Sequence, residues 1–402
     1  MIKRLNLKNF RSIEKDEIEF GKITVLTGAN NSGKSSVIYG LLVLKNTVSN
    51  PNQPLDSCLT PQFINLGGFS QMVHQKDEDK KITISIECDD KDYNTTYTAI
   101  LGKQNSELQI KTNNPFPIAF NLPVIFPYPV NANIGTEIEN EFFKGTVNWN
   151  GITATIAITE KRKEDSATQK NINDIYKSFN APVEDLRLID FIPLRRGFMK
   201  PNFASVPLQQ QLTNEDEVAT LLAADRDLEG KVAFYLEKIV DKIFSVRPTI
   251  GTANFSLQSR DRKTAFVSDL VNEGFGTNQL VTILTRALRK ETKLICIEET
   301  EIHLHPSVMD KFVEVLIEIA YEEKKQFVIS THSEHIVMSL LSRIANSNKK
   351  FTNNDLFVYY LSKDGRNSKI EKQEINEKGQ IKGGLKGFFE AEILEFKNFF
   401  KD

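Results

Sequence analysis

Apolar and polar residues alternate from the start of the chain. Leu5 and Leu7 are flanked by polar neighbours, then Ile18 and Phe20 repeat the pattern, so residues 2–27 read as strands. The run ITVLT (23–27) is short and mostly apolar, as in a strand covered on both faces. It leads into a glycine-containing loop, after which SVIYGLLVLKN reads as a buried helix. Residues 46–80 carry Pro51, Pro54 and Pro61 and form a long connection. Residues 81–155 read as β-rich. In KITISIEC the residues Ile82, Ile84 and Ile86 alternate strictly, which predicts a half-buried strand, and YTAILG and GITATIAIT predict others. The charged stretch 160–180 reads as a surface helix or loop. In 213–244, Leu221, Leu222, Leu228, Val232, Leu236, Ile239 and Ile243 recur at helical steps. From about 264 the pattern is α/β. KLICIEE is a buried strand. PSVMDKFVEVLIEIA is a helix with Pro306 in its first turn and Val308, Phe312, Leu316 and Ile319 on one face. QFVIST is a second buried strand, and a helix follows from about Glu334. The final segment lines Phe389, Ile393, Phe396 and Phe400 into one stripe, which packs on its own core or meets a partner. No internal repeat and no sustained heptad are present, which argues against a long coiled-coil arm.

A chain of 402 residues makes two or three domains, or one domain with a large insertion. With 40% hydrophobic and 26% charged residues it can build a sizeable core. No stretch approaches 18 consecutive apolar residues, so no membrane helix is expected, and the N-terminus lacks the apolar core of a secretory signal. The three cysteines, Cys58, Cys88 and Cys296, give no disulfide framework. Together these predict a soluble, cytoplasmic protein with no membrane partner. The net charge of −2 excludes a global basic field, though not a local basic patch.

The candidate chemistry begins at LTGANNSGKSSVIYG (26–40). Gly28-x4-Gly33-Lys34-Ser35 has the spacing of a phosphate loop, and its flanks are a predicted strand and a predicted helix. In such a loop the glycines turn backbone N–H groups inward. Lys34 reaches the β- and γ-phosphates, and Ser35 can ligate Mg²⁺. LICIEE ends in Glu298 and Glu299 at a strand's carboxyl end, where α/β sheets place ligands. Glu298 would hold Mg²⁺ directly or through water, and Glu299 would polarise the attacking water. Four of the five histidines, His303, His305, His332 and His335, fall between 303 and 335. A transition-metal cluster is one reading. The preferred one places His332 beside the two glutamates, where its imidazole can bond a γ-phosphate or the water, and leaves His335 structural. NEGFGTNQLVTILTRAL (272–288) opens a helix with Gly274 and Gly276. It is either a simple cap or a second set of phosphate-facing N–H groups used by another subunit. Arg195, Arg196 and Lys200 follow an apolar strand and are either a DNA-gripping cluster or a structural basic patch.

Five segments occur in order: NFRSI, GANNSGKSS, GFGTNQ, LICIEETEIHLHP and VISTHSEHI. In this order they resemble the ABC-type ATPase head shared by SMC and RecF proteins and the OLD-like AAA ATPases. The last two, with NDLFVYYLSKDG and KGFFEAE, are most similar to stand-alone AAA ATPases that lack a TOPRIM domain. The resemblance covers about 1–75 and 185–402. It implies an α/β P-loop NTPase of ABC-ATPase type, a mixed sheet with flanking helices plus an antiparallel β subdomain, and a large central α+β insertion. The implied divisions are 1–75 (N-terminal half of the head), 76–264 (insertion) and 265–402 (C-terminal half). Gly28, Ala29, Asn30, Asn31, Ser32, Gly33, Lys34, Ser35 and Ser36 would be the Walker A loop. Glu298 would be the Walker B acid, Glu299 the catalytic base and His332 the switch histidine, with Glu301 to His305 facing the other subunit. Gly274, Gly276, Asn278 and Gln279 would belong to the signature motif. Arg11 would approach the phosphates, and His74, or failing it Gln71, would carry the Q-loop function. Some residues depart from the pattern. Glu298 replaces the usual aspartate, Thr300 stands where proline is common, and Asn278 stands where serine is frequent, which puts its γ-phosphate contact in question.

The resemblance implies ATP and Mg²⁺ as cofactors and an ATPase that works as a head-to-head dimer of two copies enclosing two nucleotides. No second catalytic centre is legible, so a separate effector protein is expected to take the output, with a role in anti-phage defence. Two alternatives stand beside it: a RecF/SMC-like DNA-repair ATPase, with DNA as the partner, and a slow or non-hydrolysing ATP sensor.

Overall fold

A computed structural model describes residues 1–61, 64–162, 166–209, 211–346 and 350–384. The chain forms two compact units, each assembled from separate stretches. The first comprises Met1–Phe20, Asn30–Ile189 and Leu361–Ile370. The second comprises Gly21–Ala29, Asp190–Tyr360 and the described residues from Glu371 onward.

In the first unit a six-stranded sheet runs in the order Ile13–Glu19, Ile2–Phe10, Ile82–Asp89, Asn94–Leu101, Ser106–Asn114, Ile118–Val124, each neighbour antiparallel. The alternation read from the sequence sets its register. Leu5 faces both Ile18 and Ile86, and Leu7 faces Ile84, all of them fully buried. A three-stranded sheet, Ala154–Lys161, Phe143–Trp149, Ile134–Glu139, completes the β-rich part. Trp149 stacks on Phe120 at 5.9 Å, and Phe120 meets Phe179 of the helix Ser166–Arg187 at 5.8 Å. That helix covers most of 160–180, where a surface helix or loop was expected. Its charged start hides Ile175, Phe179, Val183 and Leu186, which recur at three- and four-residue steps and are buried.

A mixed sheet belongs mostly to the second unit. Its order is Ile189–Ile192, Leu294–Glu298, Gln326–Thr331, Ile23–Gly28, Leu356–Asp364, Asn367–Gln373. Both neighbours of Gln326–Thr331 run parallel to it. Helices Phe275–Leu288, Pro306–Glu322 and Glu334–Asn346 bury Leu284, Phe312, Leu316, Val337 and Leu340 in one core with Val25, Ile297 and Ile329. A smaller antiparallel sheet, Phe203–Ala204, Asn254–Asp261, Lys242–Pro248, with Val267–Asp269 paired to the second of these, lies in the same unit. The mixed sheet with flanking helices and the antiparallel β subdomain are thus both present.

The helical stretch expected over 213–244 is two helices, Glu215–Ala224 and Arg226–Val240. Asp225 closes the first, and its carboxylate accepts from Leu228 N at 3.0 Å to open the second. The second ends at Asp241 in a left-handed conformation (φ 61°), so Ile243 belongs to a strand rather than to the helical stripe. The apolar stripe Phe389, Ile393, Phe396 and Phe400 lies outside the described residues.

A buried ion pair braces the second unit. Arg286 Nε and Nη2 donate to the two Asp190 oxygens at 2.9 and 2.5 Å, and Nη2 also reaches Leu212 O at 3.1 Å. Removing one partner strands a buried charge. Asp190→Ala is therefore expected to lower unfolding stability by about 3–5 kcal/mol. Urea denaturation of wild type and variant measures this, and a loss under about 1 kcal/mol would contradict it.

Candidate nucleotide site

In the second unit the parallel register aligns the predicted residues along one sheet edge. Glu298 pairs with Ser330, Ser330 with Leu26, and Thr331 with Thr27. Glu298, the end of QFVIST and the strand that opens into Gly28 therefore share a carboxyl edge. Glu298 lies two strand spacings, roughly 10 Å, from Leu26.

Glu299 follows in a left-handed conformation, φ 44°, and its N–H donates to Ser330 O at 2.8 Å. Its carboxylate lies 3.8 Å from His332 Nε2. Glu301 accepts from the His332 backbone N–H at 2.6 Å and fixes where that histidine leaves the strand. Arg196, only 5% exposed, donates to Glu298 O at 2.5 Å, Glu299 O at 2.7 Å and Pro193 O at 3.1 Å. Burial lowers its pKa to about 10 against the opposing pull of Glu301, Glu299 and Glu298, so it stays charged at neutral pH. Of the basic cluster, Arg196 is thus unavailable to DNA and Lys200 pairs with Asp216 at 2.6 Å, while Arg195 is exposed. His303 and His305 are exposed. His305 Nδ1 accepts from Ser307 N at the start of Pro306–Glu322, and among the described residues no group of three His, Cys, Asp or Glu could hold a metal.

The helix Phe275–Leu288 begins at Gly274. Gly276 lies so close to the turn before His305 that an added Cβ would be 2.5 Å from His303 O. Phe275 sets its ring edge-on to His303 at 5.0 Å. The Asn278 side chain, expected in the signature motif, is turned into the core. It is 2% exposed, its Oδ1 accepts from Phe198 N at 2.7 Å, and its Nδ2 donates to Phe198 O at 2.8 Å. Gln279 is equally buried, which leaves Gly274 exposed at the helix start.

The first unit carries the rest of the loop. Asn30 and Asn31 are exposed, as is Ala29 at the end of the second unit's stretch, while Ser32, Lys34 and Ser36 are buried and Ser35 is half-buried. Gly33 takes φ 109°, closed to other residues, and caps the helix that starts at Lys34. An added Cβ there would strike Ser368 Oγ. Ser368 bonds Ser12 twice, Oγ to Oγ at 2.7 Å and N to Ser12 O at 2.7 Å. The neighbouring Arg11 is left-handed (φ 53°) and held at both ends. Its N–H donates to Met72 O at 2.6 Å, and its carbonyl bonds His74 Nδ1 at 2.9 Å. The Arg11 guanidinium lies 5.1 Å from the Tyr39 ring centre, one turn into the loop's helix. His74 is 1% exposed, so it acts on Arg11 from behind; Gln71 is exposed. Ser12, Tyr39 and Ser368 escaped the sequence reading. Ser12 adjoins Arg11, but nothing in the local sequence links Ser368 to a loop more than three hundred residues earlier.

The chain is similar to the OLD nuclease of Thermus scotoductus, 24% identical over 351 residues, 83% of this chain and 59% of that protein. It is also similar to the Old nuclease of Escherichia phage P2, 23% identical over 365 residues, 82% of this chain and 56% of that one. It spans less than two thirds of the length of these relatives. A solved SMC head bound to the C-winged helix domain of ScpA has the same fold, with a TM-score of 0.50 at 12% identity, covering 92% of this chain and 97% of that one. Residues 23–339 match the family described as "AAA domain, putative AbiEii toxin, Type IV TA system". With that match spanning most of its length, the chain belongs to this family of AAA-domain proteins.

Proposed function

We propose that this protein binds ATP with Mg²⁺, hydrolyses it, and uses the cycle to close and reopen a head-to-head dimer that controls a separate effector. The shared carboxyl edge carries the reading. Glu298, Glu299 and His332 line the same parallel edge from which the strand Ile23–Gly28 enters the glycine loop. Main-chain N–H groups of residues 28–36 and the helix N-terminus suit phosphate oxygens. Lys34 adds charge toward the β- and γ-phosphates. The hydroxyl of Ser35 and the carboxylate of Glu298 are hard oxygen donors of the kind Mg²⁺ prefers. The metal, when bound, neutralises charge on the phosphates. Glu299 takes a proton from the attacking water, with His332 beside it to orient the water or the γ-phosphate. Arg11 extends toward the phosphates from the turn that backs Gly33. The start of the Gly274 helix offers N–H groups to nucleotide held by a second copy, with Asn278 and Gln279 serving its packing.

The family description names a putative toxin, and one relative is encoded by a phage. Both support a role in conflict between bacteria and phage, with DNA repair as the competing setting.

Glu299→Gln is expected to cut phosphate release at least tenfold and to trap an ATP-dependent dimer. Phosphate assays and native mass measurement read both, and equal slow turnover in wild type and variant would favour a sensor instead. Asn278→Ser installs the residue frequent in related heads, yet is expected to cost about 1–3 kcal/mol of stability because Phe198 loses its partners. Nucleotide affinity should stay within threefold. Urea denaturation and a fluorescent-nucleotide titration separate the two, and a loss of affinity without loss of stability would restore Asn278 to the nucleotide.

A further inference from the structure

We propose that Arg196 is the positioning residue for the acidic pair, setting the peptide between Glu298 and Glu299 so that one carboxylate serves the metal and the other the water. The proposal rests on the ATPase reading above.

The hydrogen bonds carry it. One guanidinium grips two successive carbonyls, Glu298 O at 2.5 Å and Glu299 O at 2.7 Å, and its third acceptor is Pro193 O of its own strap. A planar fork fixes direction as well as distance, which an ammonium cannot do. The peptide it fixes is unusual. Glu299 has φ 44°, sparsely populated for a side chain of its size. Such backbone persists only where neighbours over-determine it. Here the Ser330 carbonyl holds the Glu299 N–H from one side and Arg196 holds its carbonyl from the other. Arg196 spends its bonds on the main chain, so it aims the two side chains without donating to their carboxylates.

The strap is itself anchored. Two residues beyond Arg196, Phe198 exchanges both backbone bonds with Asn278 of the Gly274 helix. The acidic pair and that helix therefore share one short connection, Pro193–Phe198. A shift of the helix start is passed to the Glu298–Glu299 peptide through the fork.

The test uses the full chain with Arg196→Lys and Arg196→Met. Three quantities are read: the melting temperature, the affinity for a fluorescent ATP analogue titrated with Mg²⁺, and kcat. Arg196→Lys is expected to melt within a few degrees of wild type and to bind the analogue without Mg²⁺ within threefold of wild type. Its Mg²⁺ half-saturation should rise several-fold and its kcat fall at least tenfold, with Arg196→Met lower still. Retention of kcat within twofold in both variants overturns the proposal. So does a parallel collapse of melting, affinity and kcat in Arg196→Lys, which marks a structural role alone. If wild type binds the analogue but releases no phosphate, the hydrolysis reading fails while the Mg²⁺ half-saturation still decides, an unchanged value overturning the proposal. If wild type binds no nucleotide, both fall.

Discussion

The parallel ladder through Gln326–Thr331 governs the chemistry available to this protein. It pairs with Leu294–Glu298 on one side and Ile23–Gly28 on the other, residue for residue. A slip of one position would turn every side chain to the opposite face and move Glu298 away from the loop edge. The slip is resisted because all three strands are apolar and covered on both faces, with Val25, Ile297 and Ile329 fully buried. Hydrophobic burial thus does two jobs: it holds the sheet, and it sets the relative heights of an acid, a histidine and a glycine loop.

On that frame, polar contacts do the finer aiming. In the first unit the Arg11–Ser12 turn gathers His74, Met72, Tyr39 and Ser368 around a left-handed residue. In the second, Arg196, Glu301 and Asn278 act on main-chain groups near Glu299, His332 and the Gly274 helix. Arg196 and Asn278 each pair a buried polar side chain with backbone groups that would otherwise lie unsatisfied, so each is hard to shift by itself.

The sequence revealed what depends on local spacing. KITISIEC alternates because one of its faces is buried, and LICIEE and QFVIST are apolar because both of theirs are. The glycine loop, the strand-end glutamates and His332 are legible for the same reason. Partners that come from far along the chain were not legible. The Asn278–Phe198 and His74–Arg11 bonds join residues far apart in the chain, so nothing in the local spacing announces them. Asp225 was hidden within a helical period that continues across it, since a single carboxylate cap interrupts the helix without breaking the spacing. The strands Asn254–Asp261 and Leu356–Asp364 went unread, although each pairs with a strand close by in the sequence, Lys242–Pro248 and Asn367–Gln373.

Interleaving the two units has a consequence for how the chain is made. The first unit draws on residues 1–20, 30–189 and 361–370, and the second threads between them. During synthesis the early β-rich part can pair locally at once. The Ser368 contact behind Gly33, however, joins it only after almost the whole second unit has left the ribosome. Closing so long a span is slow relative to local pairing. The glycine loop thus acquires its final backing among the last events of folding, so a chain that has stalled or been truncated before Ser368 cannot yet hold Gly33 as the finished protein does.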